Sequence, residues 1–584
     1  MTRTTSRRDF LARSAAATLP LTLAAQRRTR PNVLILLTDD QGYGDFGCHG
    51  NPVLKTPNMD RLHSQSVRFT DFHAAPMCTP TRGQLLTGQD ALRNGATSVT
   101  AGRAVVRKDI PMMPGIFAAA GYRTGIFGKW HLGDNYPYRP MDRGFERAVY
   151  HLGWGFSAAP EFDNDYFNGR YRDQGSLRRF SGYCADFWFD QAMDWMRGQR
   201  QPFLCYLPTN TPHTPAWVEE QYAAPYRKPG LPAEFFGMIA NLDENLGRLE
   251  RFLAASGLRD NTIVLLITDN GGTGGTRFYN AGLRARKMEL YEGGHRAACF
   301  VRWPGGGFGS PRDVAVPAQM QDLLPTFLDL CGVAAPAGAA FDGRSLAPLL
   351  RGTAADIGDR MMVVQYGQIP RKWDSAVIWG KWRLVGGNEL YDLASDPGQV
   401  KDVAMANPAI AARLRDHYEE WWSGVAPRLG EFAPISLGAP QENPVELTSS
   451  DWQDVYCDNA GHVSNAVGGP RGGPWAVSVE RSGAYRISLS RWPPWQKLAL
   501  NAARPPQAMT KGELPAGKAL PIAGARLRVA GQDLSQPAAA GATTVEFVVR
   551  LEAGTRTNLH AWFQDAAGND LAGAFYATVL RLGA

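Results

Sequence analysis

The sequence predicts an α/β protein with a mostly parallel central sheet flanked by helices, then a small antiparallel subdomain and a β-sandwich domain. Continuous apolar runs at 32–37, 203–207 and 262–267 are typical of parallel strands buried on both faces. Helical patterns separate these runs along the chain. Beyond residue 444 short alternating strands and turns follow one another, which favours a β-sandwich.

Length and composition exclude several classes of protein. A chain of 584 residues is too long for one hydrophobic core, so two or three domains are expected. The net charge of +7 is small and is concentrated in the first 30 residues. Because no basic stripe follows, we predict no nucleic-acid partner. No later run of about 18 apolar residues occurs, so we predict no integral membrane segment.

The N-terminus has the pattern of an export signal. Arg7 and Arg8 form a twin-arginine pair, and a weakly apolar run at 15–25 ends in small residues suited to cleavage. We therefore predict a twin-arginine signal peptide at 1–25 and a periplasmic or secreted protein. The alternative is a disordered basic tail. Twin-arginine export carries proteins that are already folded.

A cysteine stands at the start of a predicted helix, in the motif Cys78-x-Pro80-x-Arg82. A helix N-terminus offers positive potential and free N–H groups to an anion, and proline suits the first turn. The seven cysteines are scattered, with no CxxC pair and no zinc-like spacing, so Cys78 is the candidate for a chemical role. The alternative is a structural cysteine beside a surface arginine.

Two strand ends carry oxygen-bearing side chains. The first apolar run ends in Asp39 and Asp40, and the third ends in Asp269 and Asn270. In open α/β sheets ligands gather beyond the carboxyl ends of strands. Three carboxylates at one edge repel each other without a cation, and hard oxygen ligands suit Ca²⁺ or Mg²⁺. A single such pair is usually a turn or a helix cap, but two beside the cysteine motif indicate a metal site.

Histidines and a lysine follow other predicted strands. Lys129 and His131 are two residues apart, so on extended backbone they face the same side. His213 lies between Pro212 and Pro215 on a loop after the second apolar run, where its position is constrained. Alone, such residues are more often a solvated lysine and turn histidines.

Taken together, these motifs resemble the type I sulfatases of the alkaline phosphatase superfamily. The Cys-x-Pro-x-Arg motif and the block Gly-Lys-Trp-His-Leu-Gly at 128–133 match the family pattern. A third block at 283–296 departs from it, because Ala285-Arg286 replace the usual Gly-Gly, but Lys287 stays in register. The resemblance covers about residues 30 to 425, and it implies an alkaline-phosphatase-like fold.

The resemblance also implies a nucleophile and a metal. A maturation enzyme would oxidise Cys78 to formylglycine (3-oxoalanine), and an oxygen of its hydrate would attack the sulfur of a sulfate ester. Oxidation before folded export fits the twin-arginine leader. Calcium, with magnesium as the alternative, would bind four residues together with the modified cysteine. These four are Asp39, Asp40, Asp269 and Asn270.

The remaining roles implied by the resemblance concern the sulfate group. Arg82 would hold the modified residue and the cation shell, while Lys129 and Lys287 would grip sulfate oxygens. His131 would act as the base on the modified residue and His213 would assist the departing oxygen. Which histidine is the base and which the acid stays open.

The expected domains are a catalytic domain at 30–350, an antiparallel subdomain at 351–425, a linker at 426–444 and an accessory β-sandwich at 445–584. Aromatic, Asp and Asn residues are frequent at 150–200, which indicates either an ordered insertion or groups around a sugar. The three tryptophans that could form a sugar platform in the last domain are better explained by packing. They are Trp492, Trp495 and Trp562.

The sequence therefore predicts a sulfatase that hydrolyses carbohydrate or aryl sulfate monoesters. Its partners would be a sulfated small molecule or glycan and the maturation enzyme. One alternative is a phosphomonoester or phosphonate hydrolase of the same superfamily. Another is an inactive sulfoglycan-binding relative, which is disfavoured because every expected polar position is filled.

Overall fold

The computed structural model describes residues 30–583, so the predicted signal peptide lies outside the described residues. The first half of this region contains twelve strands, of which β3 and β12 form a separate two-stranded sheet. They are β1 Asn32–Thr38, β2 Val67–Phe69, β3 Phe72–His73, β4 Arg123–Lys129, β5 Arg147–His151, β6 Arg170–Asp173, β7 Ser176–Arg179, β8 Phe203–Pro208, β9 Thr262–Thr268, β10 Cys299–Arg302, β11 Arg312–Val314 and β12 Ala318–Gln319.

The other ten strands form one sheet in the order β11-β2-β10-β9-β1-β8-β4-β5-β6-β7. Its five central strands, from β9 to β5, are all parallel. Antiparallel strands extend it at both ends, where β10 joins β9 and β6 joins β5. The predicted mostly parallel sheet is confirmed, and the three apolar runs are its β1, β8 and β9.

Helices cover both faces of the sheet. Alternate residues of β1 point to opposite sides, so Ile35 lies in one buried cluster and Leu36 in the other. No helix among residues 30–583 has the length and apolar character needed to cross a membrane. The α-helices of this region are α1 Pro57–His63, α2 Cys78–Thr87, α3 Ala91–Asn94, α4 Met113–Ala119, α5 Cys184–Arg197, α6 Glu220–Ala223, α7 Ala233–Ala255, α8 Glu292–His295, α9 Leu323–Cys331, α10 Ala347–Arg351, α11 Pro408–Val425 and α12 Ala460–Ser464.

Four antiparallel strands follow the central sheet, and α11 packs on them. Val377 of the strands and Leu414 of the helix share one small buried cluster, so the subdomain has its own core. The strands pair in chain order. They are β13 Met362–Gln365, β14 Ser375–Trp379, β15 Trp382–Val385 and β16 Glu389–Asp392.

The last part of the chain is a sandwich of two sheets. One sheet has the order β17-β19-β26-β23-β24, with β27 on β26, and the other has the order β18-β28-β20-β25. Side chains of both sheets share one buried cluster, as the alternating pattern predicts. The strands of these two sheets are β17 Ile435–Leu437, β18 Val445–Thr448, β19 Trp475–Val479, β20 Gly483–Ser490, β23 Gly524–Val529, β24 Gln532–Pro537, β25 Val545–Leu551, β26 Arg556–Gln564, β27 Asp570–Gly573 and β28 Tyr576–Gly583. Two further strands, β21 Gln507–Met509 and β22 Gly512–Leu514, form a separate antiparallel pair.

The segment predicted as a linker at 426–444 is not only a connection. Its strand β17 pairs in parallel with β19, and Ile435 and Leu437 are buried in the sandwich core. The sequence missed this strand because only two apolar residues of a Pro/Gly-rich stretch contribute to that core. The segment predicted as a linker therefore also contributes a strand to the sandwich.

Candidate active site

The register of the central strands brings the two predicted ligand pairs together. Thr38 of β1 lies opposite Thr268 of β9, so the next two residues of each strand leave the same edge of the sheet. The amide of Asp40 donates to Asp269 Oδ1 at 3.1 Å, and Asn270 Nδ2 donates to Asp40 Oδ1 at 3.1 Å. The carboxyl ends of adjacent strands thus place all four predicted ligands within one buried cluster.

This cluster has the donor set of a cation site. Asp39 Oδ1 and Asn270 Oδ1 are buried and have no hydrogen-bond partner, which is costly unless another group meets them. Ligand atoms of Asp39, Cys78 and Asp269 lie within 4.8 Å of one another. Carboxylate and amide oxygens are the ligands of hard divalent cations. The residues present therefore fit a calcium or magnesium ion.

Burial and charge act in opposition on the carboxylates. Burial raises the pKa of Asp39, but Lys129, His213 and Arg82 outweigh it and hold that pKa well below its usual range. Burial and the neighbouring Asp39 raise the pKa of Asp269 to about 7. The cluster therefore needs positive charge beyond that of its neighbouring side chains to keep all its carboxyls ionised at neutral pH.

Cys78 is the first residue of α2, and it is buried. Met77, which precedes it, offers no side-chain cap, so the N-terminus of the helix stays open beside the thiol. Burial raises the pKa of the Cys78 thiol, although Lys129 and Lys287 oppose this effect. The unmodified side chain is therefore a neutral thiol, which is a poor nucleophile.

Arg82 lies one turn further along α2 and connects the helix to the carboxylates. Its Nη2 donates to Asp269 Oδ2 at 3.0 Å and its Nη1 donates to the carbonyl of Lys129 at 3.0 Å. The guanidinium also lies 3.9 Å from Asp39 Oδ1. All of these side chains are buried, so Arg82 fixes the helix that carries Cys78 against two strand ends.

Two lysines reach the same carboxylates. Lys129 Nζ donates to Asp39 Oδ2 at 2.8 Å, and Lys287 Nζ donates to Asp40 Oδ1. Gly128 precedes the first lysine with φ 132°, and a Cβ there would lie 2.0 Å from the Pro208 carbonyl oxygen. Only glycine lets β4 pass the end of β8 at this distance and deliver Lys129 to the site.

His131 faces Cys78, with Nδ1 at 3.5 Å from Sγ and Nε2 at 3.3 Å from the Val99 carbonyl. Because a carbonyl only accepts, the proton lies on Nε2 and the bare Nδ1 faces the cysteine. Burial, with Lys129, lowers the pKa of His131 well below its usual range. The predicted extended backbone is wrong here, since φ is 57°, yet the ring reaches the site.

His213 lies beside Asp40. Its Nε2 is 3.8 Å from Asp40 Oδ2, and its Nδ1 is 2.7 Å from the Thr214 carbonyl. That carbonyl fixes a proton on Nδ1, so Nε2 is the nitrogen that faces the site. Burial lowers the pKa of His213, with Asp40 opposing. All ten predicted site residues thus converge in one place.

Two further residues border the site without having been predicted. Tyr366, on the antiparallel subdomain, packs in one cluster with Cys78 and Val99. It is 6% exposed and its hydroxyl has no hydrogen-bond partner. Val99 orients His131 through its carbonyl. No motif marks either residue, because both arrive from loops whose positions depend on packing.

The aromatic residues of 150–200 mostly do not surround the site. Tyr166, Tyr183 and Trp188 are buried in the core beneath the sheet. Trp154 is the exception: its ring centroid lies 5.8 Å from that of His131 and 6.4 Å from that of His213. The interpretation of this segment as an ordered insertion therefore describes most of it, and one tryptophan borders the two site histidines.

Comparison with known proteins decides the family. The sulfatase family model matches residues 31–333, which contain all ten residues of the site. The chain belongs to the sulfatase family. It is 31% identical to human arylsulfatase A over 452 residues, covering 66% of this chain and 86% of the relative. It is also 29% identical to human N-acetylgalactosamine-6-sulfatase over 375 residues, covering 58% and 70%.

Solved structures agree with this assignment. The crystal structure of Ps i-CgsB in complex with k-i-k-neocarrahexaose has a TM-score of 0.64 at 26% identity, covering 69% of this sulfatase and 95% of that chain. The phosphonate monoester hydrolase of Agrobacterium radiobacter has a TM-score of 0.52 at 20% identity, covering 68% and 96%, and shares the fold. The protein is a sulfuric ester hydrolase with the alkaline-phosphatase-like fold predicted from its sequence.

Proposed function

We propose that this sulfatase hydrolyses sulfate monoesters of carbohydrates, with residue 78 as formylglycine and a calcium ion in the carboxylate cluster. One observation carries the proposal. The buried Cys78 lies at an open helix N-terminus beside carboxylate and amide oxygens that lack partners. The residues that would hold the ion are Asp39, Asp40, Asp269 and Asn270.

When present, the formylglycine hydrate supplies a nucleophilic oxygen, and the divalent cation supplies the charge that stabilises it and the sulfate group. The side chains set the charge of the site. Three aspartates face three fixed cations, so their charges cancel. A divalent ion then leaves a net positive site, which suits an anionic ester and the negative charge that develops during transfer.

Lys129 and Lys287 orient the anion in this proposal. Each amine already pairs with a carboxylate, so it is held in place before the substrate arrives. Each ammonium has three donors, and the hydrogen bond to its aspartate occupies only one of them. The remaining donors bind sulfate oxygens. Arg82 has no such freedom, and it holds Asp269 and the start of α2.

The histidines move protons in this proposal. His131 presents a bare Nδ1 to the side chain of residue 78, so it accepts the proton of a hydroxyl there. His213 presents Nε2 to the site beside Asp40, and there it assists the departing alcohol. The lowered pKa of both rings keeps them neutral at rest. Their assignment as base and acid is part of the hypothesis.

The choice of a carbohydrate substrate has two supports. One relative is an N-acetylgalactosamine-6-sulfatase, and Ps i-CgsB is similar to this chain and was solved with a bound oligosaccharide. Trp154 beside both histidines offers a flat apolar surface of the kind on which sugar rings stack. Aryl sulfates are the second candidate class, because arylsulfatase A is also a relative.

A substrate panel and mass spectrometry test the proposal. Mass spectrometry of the peptide that contains Cys78 should show the mass of formylglycine after expression with a maturation enzyme. Sulfated galactosamine and galactose sugars should be hydrolysed faster than nitrophenyl sulfate, and nitrophenyl phosphate should react least. An unmodified thiol in active enzyme would refute the nucleophile, and preferred phosphate hydrolysis would support the phosphohydrolase alternative.

We also propose export through the twin-arginine pathway, which rests on the sequence alone. Oxidation of Cys78 would then precede export, since that pathway carries folded proteins. Replacing Arg7 and Arg8 by lysine should leave active enzyme in the cytoplasm. Active enzyme found in the periplasm of that variant would contradict the route.

A further inference from the structure

A second group of metal-binding side chains lies outside the active site. The 3₁₀ turn Gly47–His49 carries Cys48 and His49, and α1 ends at His63. One ligand atom from each of these three residues lies within 4.8 Å of those of the other two. All three residues are half-buried, and Cys48 is the one cysteine of the seven that is not buried. Linear spacing does not predict this cluster, because the fold brings His63 to a Cys-His pair.

We propose that Cys48, His49 and His63 form a second metal site, which binds a borderline-soft transition ion such as Zn²⁺. A thiolate and two imidazoles select such ions over calcium. Ligand atoms around tetrahedral zinc lie about 3.3 to 3.6 Å apart, given its bond lengths. The three ligand atoms now lie within 4.8 Å of one another, so side-chain rotations that move each atom by about 1 Å bring them to these separations.

His49 is already oriented as a ligand. Its Nδ1 lies 2.7 Å from the Tyr43 carbonyl, which can only accept, so Nδ1 carries the proton and Nε2 has the free lone pair. Metal-binding histidines characteristically donate their second nitrogen to a carbonyl or carboxylate in this way. The ring also stacks on Tyr43 at 4.0 Å and packs edge-on against Phe300. These contacts fix the ring before any ion binds.

The charges around the cluster favour a divalent ion. Asp60 accepts from the backbone amide of Cys48 at 2.8 Å and from the Thr56 hydroxyl at 2.8 Å, so a carboxylate lies beside the thiol. Together, the thiolate and this carboxylate balance two positive charges. On binding, the ion displaces the thiol proton of Cys48: the S–H bond breaks, a sulfur–metal bond forms and the proton passes to solvent.

Arg68 opposes the ion at the third ligand. Its Nη1 lies 3.4 Å from His63 Nδ1, while its Nε pairs with Asp313 at 2.6 Å. The guanidinium only donates, so it occupies the lone pair of Nδ1, and metal binding requires Arg68 to withdraw. His63 is consequently the weakest of the three ligands, and removing Arg68 should strengthen metal binding.

Titration of the full-length enzyme with Co²⁺, in the presence of saturating Ca²⁺, tests this site. The wild type should develop a thiolate-to-cobalt charge-transfer band and the visible bands of a four-coordinate ion. Zinc should abolish both, with release of about one proton per ion. Cys48→Ser should lose the charge-transfer band. His63→Asn should bind at least tenfold more weakly, and Arg68→Met should bind severalfold more tightly.

Matched variants separate this site from other thiols and histidines. His417→Asn changes a histidine on α11 far along the chain and should leave the titration unchanged. Cys78→Ala removes the other thiol that lies near a metal cluster, and the band should persist. The proposal is overturned by a wild type without the band, by a band that survives Cys48→Ser, or by its loss in Cys78→Ala. Thermal unfolding in EDTA shows whether each variant is folded.

Discussion

Arg82→Met should destabilise the protein strongly, because the guanidinium is buried between two carboxylates. At 3.0 Å from Asp269 and 3.9 Å from Asp39, the attractions are about 5.5 and 4 kcal/mol at an effective dielectric constant of about 20. The cost of burying the arginine offsets much of this sum. Removing one partner of such a buried pair typically costs about 3 to 5 kcal/mol, since the remaining charge is left uncompensated.

Urea unfolding in the presence of EDTA measures this loss without a contribution from the cation. The free energy of unfolding should fall by about 3 to 5 kcal/mol, and activity should be lost because α2 is no longer held to the strand ends. Arg302→Met is the matched control, since Arg302 is also buried and pairs with Glu250 away from the site. That variant should be destabilised but should keep calcium-dependent stabilisation.

A change of less than about 1 kcal/mol in Arg82→Met would refute the reasoning. It would mean that Asp269 takes up a proton once the guanidinium is gone, so that no uncompensated charge stays buried. The pKa of Asp269, raised to about 7 by burial and by Asp39, makes this outcome meaningful. The unfolding experiment is therefore done at pH 8, where that carboxyl is ionised in the wild type.

Three further predictions each concern one side chain. Asp39→Asn should abolish the rise in melting temperature that calcium gives the wild type, because a cation that binds the folded state stabilises it by mass action. An unchanged calcium-dependent rise in this variant would contradict the proposed ligand set. Tyr366→Phe should lower kcat/KM about tenfold, because the unpaired hydroxyl beside Cys78 is available to contact the substrate. Stability should not change, since the hydroxyl has no hydrogen bond to lose in the free enzyme. Unchanged kinetics would exclude a substrate contact. Glu161 is buried, and burial raises its pKa to about 7, so the folded state holds its proton while the unfolded state releases it. The stability that this carboxyl contributes is full below pH 4.5 and is lost as the pH rises through 7. In urea unfolding, the free energy of unfolding of Glu161→Gln should therefore match that of the wild type at pH 4.5 and exceed it by about 2 to 3 kcal/mol at pH 8.

Much of the site could be predicted because its chemistry is local in sequence. The ligand pairs directly follow buried apolar strands, and the geometry of a parallel sheet then places them at one edge. The Cys78 motif is likewise a few residues at the start of a helix. The alternation of the last domain predicted a β-sandwich, and the two sheets share a core as expected. In each case the structure follows from a pattern of residues that are close together in the sequence.

The contribution of the last domain to the active site could not be predicted. The amide of Asp454 donates to the Ala101 carbonyl at 3.2 Å, and Arg103 pairs with Asp454 at 2.8 Å. These contacts support the loop on which the Val99 carbonyl orients His131. They join residues about 350 positions apart, and nothing in either segment indicates the other. A sandwich that looks like an appendage in the sequence therefore supports a loop of the candidate active site.

The sequence by itself determined the central strands, the ligand-bearing strand ends, the cysteine motif and the resemblance to the family, because each depends on residues that are neighbours along the chain. Tertiary structure alone decided that Tyr366 and Val99 border Cys78. It also decided that His63 meets Cys48 and His49. These groupings depend on how elements pack across the chain, and packing responds to the shape and volume of many side chains at once.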